Sequence, residues 1–164
     1  MSQRAEALAE RVARGHRELI AFVEALPEGE WRADCPRDGR TVGVVVHHVA
    51  SMLPLELDLV KVLASGQPIS GVNLDAVNQV NAEHARAHAN CDKQETLDLL
   101  RQNSALVVRA IRELSDAQLD RAAPVSLHWG APLTAQYFIE DHPLSHAYQH
   151  LANIREALGT VPRP

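Results

Sequence analysis

Residues 134–158, TAQYFIEDHPLSHAYQHLANIREAL, carry two signals at once: a helical apolar stripe and a row of histidines. Leu144, Ala147, Leu151, Ile154 and Leu158 recur at three- and four-residue intervals, the spacing of a helix that buries one face. Thr134 is placed to cap the start of this helix and Gly159 to follow its end. His142, His146 and His150 stand four residues apart, each one turn above the last and offset by about 40°. On a helical wheel His150 borders the apolar stripe, His146 lies about 40° further out, and His142 about 40° beyond that. The 146/150 pair therefore looks into a bundle interior, where two imidazoles at this spacing can close on one metal ion. His142 is expected at the edge, a supporting or surface residue beside a bend at Pro143.

Upstream the same periodicity recurs. Ala5, Leu8, Val12, Leu19, Val23 and Leu26 predict a helix over 4–26, ended by Pro27 and Gly29. His16 falls on that stripe and reads as a core histidine with its hydrogen bonds met. Residues 30–40 are turn-rich, with Pro36 and Asp38-Gly39 as breakers. Thr41 then caps VGVVVHHVASMLPLELDLVKVLAS, an almost uniformly apolar helix with a kink expected at Pro54. Residues 74–89 form a polar helical stretch, and Asp92 with Glu95 has the spacing of a capping box. A helix over 93–115 follows, with Leu97, Leu100, Val107, Ile111 and Leu114 on one stripe; residues 116–132 are a longer connection. Four long helices, one shorter helix and long connections predict an all-α four-helix bundle, with residues 1–164 as one domain.

Composition bounds the function. The chain has 164 residues, 46% of them hydrophobic and only 4% aromatic, which suits a globular core of Leu, Val, Ile and Ala. The formal net charge of −5 argues against a nucleic-acid backbone or an anionic membrane as partner. Apolar runs are short and interrupted by His or acids, so no membrane span is expected, and the charged, helix-patterned N-terminus does not read as a signal peptide. A cytoplasmic protein follows as the expectation. Cys35 and Cys91 form no CxxC and read as free thiols.

Nine histidines are the unusual feature. A metal held by His146 and His150 needs a third ligand, and the second helix offers His47 and His48. His48 shares its face with Val45, Met52, Leu55 and Leu59, whereas His47 shares a smaller, more polar face with Gly43, Ser51 and Asp58. The apolar face is expected to pack inward, which makes His48 the inner residue and the candidate third ligand; the competing reading is a buried histidine bonded to a backbone carbonyl. His84 and His88 repeat the four-residue spacing on a polar helix, so a solvated face is expected there, or a rim over the site. Cys91 hints only faintly at a ligand, and the surroundings of His128 in its loop are not legible.

The segments RTVGVVVHHVA and HAYQHLANIREAL resemble the DinB-like superfamily of helical metalloproteins, over nearly the whole chain. The resemblance implies a four-helix bundle whose site takes one histidine from the second helix and an HxxxH pair from the last. Placed on this sequence, those ligands are His48, with His47 adjacent, and His146 and His150. It implies a divalent metal, zinc or nickel, and in some relatives a low-molecular-weight thiol cosubstrate such as bacillithiol, mycothiol or glutathione. Relatives include thiol S-transferases, isomerases and metal-dependent hydrolases, often homodimeric. The sequence shows no counterpart of the second domain carried by mycothiol-dependent maleylpyruvate isomerases, so that particular activity is not expected.

Three neutral imidazoles leave a coordination position open, the arrangement of catalytic zinc sites. Such an ion can acidify either water or a thiol toward a small-molecule substrate. The expectation is a metal-dependent enzyme, thiol S-transferase-like or hydrolase-like. Glu140, Asp141 and Glu83 are candidate proton carriers. The alternatives are a non-catalytic bundle stabilised by metal, and a small-ligand-binding or stress-related module.

Overall fold

The computed structural model describes residues 2–160. Four long helices supply the frame: α1 (Gln3–Glu24), α3 (Val42–Ala64), α5 (Lys93–Arg112) and α8 (Ser145–Ala157). Shorter helices α2 (Glu28–Trp31), α4 (Leu74–Ala87), α6 (Asp116–Leu119) and α7 (Ala135–Ile139) lie between them. α1 packs against α5 and α8, and α3 against α5, α7 and α8, so the bundle closes in the order α1, α5, α3, α8.

The helix starts follow from local chemistry. Ser2, Thr41, Asn73, Asp92 and Thr134 each accept a hydrogen bond from the amide three residues on, satisfying a donor that has no partner inside the helix. At Asp92 only this half of the expected box forms, whereas Ser115 and Gln118 make a complete, reciprocal one. α3 runs unbroken through Pro54. At 23 residues, with an 18-residue window of mean hydropathy 1.3, it is long and apolar enough to cross a membrane by length and composition alone, which a reading based on short apolar runs misses. Inside the bundle 61% of its apolar window is buried, with Val42, Val45, Val49, Leu53 and Val60 in the core.

Two small antiparallel hairpins depart from a purely helical pattern. β1 (Asp34–Cys35) pairs with β2 (Arg40–Thr41) in the 30–40 turn region, and β3 (Ala122–Val125) with β4 (Ala131–Thr134) in the 116–132 connection. In the second hairpin Pro124 stands opposite Pro132. The Pro124 carbonyl turns away from β4 to the Ile69 amide at 3.0 Å, so its missing N–H falls outside the hairpin ladder. Cys35 and Cys91 are both free thiols.

The last helix is not continuous. Between α7 and α8, Glu140–Leu144 forms a wider, π-type turn around Pro143. Proline cannot donate the usual α-helical bond, and one extra residue per turn absorbs the mismatch. The Ser145 hydroxyl donates to the carbonyl of Glu140 at 2.6 Å.

Candidate metal centre

The π-type turn and α8 together set the histidine geometry. His146 and His150, one turn apart on α8, meet His48 from α3, and one donor nitrogen of each ring lies within 4.8 Å of the others. The Nε2 atoms of His48 and His146 are 3.1 Å apart. A tetrahedral ion with Zn–N bonds of 2.0–2.1 Å separates its donors by about 3.3 Å, so this edge already has the spacing of a shared ion. The His150 ring is 4.7 Å from His146 and 5.5 Å from His48 by centroids, and closes the triangle with a modest turn.

The expected reason for choosing His48 needs correction. Of the face it shares, Val45 is in the core and Leu59 packs against it, but the side chains further along open outward, and Leu55 is 53% exposed. Met52, Leu55 and Leu59, with Val72, Val77 and Leu127, line an open pocket of about 470 Å³ that also holds His48, His146 and His150. His48 itself is 5% exposed, and its Nδ1 is buried with no hydrogen-bond partner among the described residues.

Two carboxylates stand behind the α8 pair. Glu56 Oε1 lies 2.8 Å from His146 Nδ1, and Asp38 Oδ1 lies 3.2 Å from His150 Nδ1, both off the direction of an ideal hydrogen bond. Carboxylate contacts of this kind orient a ligating imidazole and raise its basicity. Asp38 is itself fixed: Arg40 donates to Oδ1 at 2.9 Å and Asn153 to Oδ2 at 3.0 Å. Its place comes from the β1–β2 turn, where the amides of Asp38 and Gly39 both reach the Cys35 carbonyl at 2.9 Å. Gly39 takes a φ of +65° there, a conformation that favours glycine.

Asp38 and Glu56 were missed by the sequence reading. Asp38 registers only as part of a turn, and the one signal for Glu56 is an acid two helical turns beyond His48 inside an apolar helix.

Burial holds His48 and His150 in the neutral form. Desolvation, then repulsion from His146, pushes the His48 pKa down to about 2. Desolvation also lowers His150, against the opposing pull of Asp38. Burial alone would raise the Asp38 carboxyl, but its contacts with His150, Arg40 and Asn153 hold it well below the ordinary range. His48 and His150 are therefore neutral near pH 7, with lone pairs free for a cation.

The other histidines divide sharply. His16 is fully buried; its Nε2 donates to the Pro143 carbonyl at 3.0 Å while the Ser104 hydroxyl donates to Nδ1 at 2.7 Å. His142, expected at the helix edge, lines the pocket and packs on Phe138 with ring centroids 4.1 Å apart. The wider turn around Pro143 redirects it, because wheel positions assume an unbroken helix. Beside it Asp141 lies 3.6 Å from His142 Nε2 and 3.5 Å from His128 Nε2. Of the three acids considered as proton carriers only Asp141 reaches the pocket. Glu140 is paired with Arg11 at 2.6 Å, and Glu83, exposed on α4, accepts from Gln79.

The largest departure concerns His84 and His88. A solvated face is expected there, but His84 is only 9% exposed and both rings face His47. Helix α4 lies against α3, so the polar pattern of its sequence conceals an inward histidine edge. Cys91 is no part of this group; its carbonyl accepts from Trp31 Nε1 at 3.2 Å.

Residues 12–138 match a family described as the mycothiol maleylpyruvate isomerase N-terminal domain, and the chain belongs to that family, within the DinB-like superfamily. The match includes His48 and ends before His146 and His150. Among solved structures, the chain is similar to YfiT from Bacillus subtilis, described as "a probable metal-dependent hydrolase with an unusual four-helix bundle topology". The identity is 19%, the TM-score 0.74, and the alignment covers 96% of this chain and 87% of YfiT. An uncharacterized protein from Clostridium difficile 630 aligns at 16% identity and a TM-score of 0.72, covering 98% of this chain and 99% of the other. At these identities the likeness establishes the four-helix-bundle fold. A comparison with curated proteins finds no match.

Proposed function

We propose that this protein is a metal-dependent enzyme of the thiol-dependent S-transferase type, with His48, His146 and His150 as ligands. The observation that carries the reading is the convergence of three donor nitrogens beside an open pocket, with no fourth protein donor in the group among the described residues. Structural zinc sites are usually closed by four protein ligands, so three with an adjacent pocket fit a reactive site. Family membership supports a thiol cosubstrate.

A divalent ion held by these histidines, zinc or nickel, supplies the Lewis acidity that makes a thiol or water acidic near neutral pH. The protein's own residues do the rest. Glu56 and Asp38 orient the rings of His146 and His150. Met52, Leu55 and Leu59 offer an apolar wall for the body of a small electrophile. Arg40 also lines the pocket, and its Nη1 is buried without a partner among the described residues, which suits a carboxylate on the thiol or the substrate. His142, with Asp141 beside it, is placed to carry a proton at the pocket wall.

Protein purified without added metal is expected to carry one equivalent more than the His150→Ala variant does by elemental analysis. Equal contents overturn the triad. With metal present, consumption of bacillithiol, mycothiol or glutathione alongside an electrophilic test substrate is the expected activity. Ester or amide cleavage with no thiol requirement would replace it with a hydrolase, as YfiT is described.

A further inference from the structure

α3 carries two adjacent histidines, and each faces its own HxxxH pair. His48 meets His146 and His150 of α8, whereas His47 meets His84 and His88 of α4. Neighbouring residues on a helix diverge by about 100°, so one doublet can reach two helices, and the two groups adjoin: the His84 ring lies 5.5 Å from His48 by centroids. In the second group Nδ1 of His47 lies 2.9 Å from Nε2 of His84, again near the spacing of donors that share an ion. The Ser51 hydroxyl is 3.1 Å from the same nitrogen, while His84 Nδ1 is buried with no partner among the described residues. His88 stacks on His47 at 3.9 Å between centroids and is half-buried, so a rotation about its soft χ2 torsion turns a nitrogen toward the other two. Donor nitrogens of all three already lie within 4.8 Å of one another.

We infer that His47, His84 and His88 form a second site for a borderline divalent cation such as zinc or nickel, distinct from the pocket triad, and that its filling fastens α4 to α3. α4 also lines the pocket, through Val77 and Asn81. Its outer face is polar apart from exposed Leu74 and Val80, so little apolar packing holds it in place. Cation binding across α3 and α4 therefore tightens one wall of the pocket without taking up its interior. No carboxylate stands within contact distance of His84 or His88 among the described residues, so this site is the weaker of the two.

The inference is tested by zinc titration of metal-stripped protein, read by native mass spectrometry and calorimetry, with amide exchange followed on α4. Wild type is expected to bind two equivalents, and the second to slow exchange across residues 74–87. His88→Ala, at a half-buried position outside the core cluster, is expected to weaken the second equivalent at least roughly tenfold and leave the first unchanged. His150→Ala is expected to retain the second and lose the first. A single equivalent in wild type that is lost in His150→Ala overturns the second site while the pocket triad stands. A single equivalent lost in His88→Ala but kept in His150→Ala overturns the pocket triad instead. Two equivalents in both wild type and His88→Ala, with matching affinities, overturn the assignment to these three residues.

Discussion

His47 and His48 are neighbours in sequence, yet the two groups of histidines they enter are built differently. The pocket triad joins two long bundle helices, is backed by Glu56 and Asp38, and lies beside a cavity of about 470 Å³. The group around His47 joins a bundle helix to the peripheral α4 and, among the described residues, has Ser51 as its one other polar contact and no carboxylate behind it. A rigid frame with fixed supporting acids gives a prepared site. A helix held by few apolar contacts gives a site that has to be assembled. The comparison teaches that HxxxH spacing supplies the donors, whereas the second layer of side chains decides what they can do.

The difference breaks most visibly at a proposed ligand. His150→Ala should remove metal from the pocket and abolish thiol-dependent turnover, a loss beyond the roughly 10–100-fold that removing a supporting partner causes. The measurement is metal content together with turnover, and unchanged turnover would end the comparison. Asp38→Asn comes next. It keeps the shape but removes the charge behind His150, so pocket affinity should fall by roughly 10–100-fold. Affinity at the His47 group should not move, because Asp38 contacts none of its members. Equal weakening at both groups would mean that the hairpin had shifted rather than the charge.

Much of this layout was legible in the sequence. Thr41 and Asp92 cap the helices they were expected to cap, Thr134 caps α7, the first segment of the helix expected over 134–158, and the apolar stripes give the bundle. Three things were not legible. The π-type turn at Pro143 resets the helical phase, so a wheel drawn through residues 134–158 misplaces His142. Periodicity reports amphipathicity but not which neighbour covers a face, so α4 reads as solvated although His84 is buried against α3. Finally, Asp38 acts across the fold through a hairpin of two-residue strands, too short for any alternation to show.

A packing change separates the groups from the other side. A Cβ at Gly43, in the first turn of α3, would stand 2.6–2.9 Å from three ring atoms of the buried Trp31. Trp31 cannot swing into solvent, so Gly43→Ala should destabilise by about 1–3 kcal/mol, a Tm drop of roughly 2–10 °C. Trp31 also donates to the Cys91 carbonyl just past α4, so the shift should reach His84 and His88 before the pocket. Gly15→Ala is the control: a Cβ there meets the Tyr148 ring at 2.7 Å, but Tyr148 is 38% exposed and can move aside. Thermal melts that rank the two variants in the opposite order would show that Trp31 is not a fixed wall.

The smallest expected effect concerns protons. An unfolded histidine titrates near pH 6.5, whereas burial, then repulsion from His47, holds His84 down to about 4. As pH falls below 6.5 the unfolded chain takes up the proton first, so the stability tied to neutral His84 is complete above that pH and is lost toward pH 4. At pH 5 the loss from this one residue is about 1–2 kcal/mol. His48 adds its own loss over a range that extends lower, because its pKa is pushed down to about 2. In metal-stripped protein the Tm should therefore fall between pH 7 and pH 5, and His84→Gln should make that fall shallower by one histidine's share. Zinc adds a second acid sensitivity, since protons compete with the ion for the same nitrogens, and the weaker His47 group should release its ion at the higher pH. If His84→Gln and wild type melt with the same pH dependence, His84 is hydrated and α4 does not close over it.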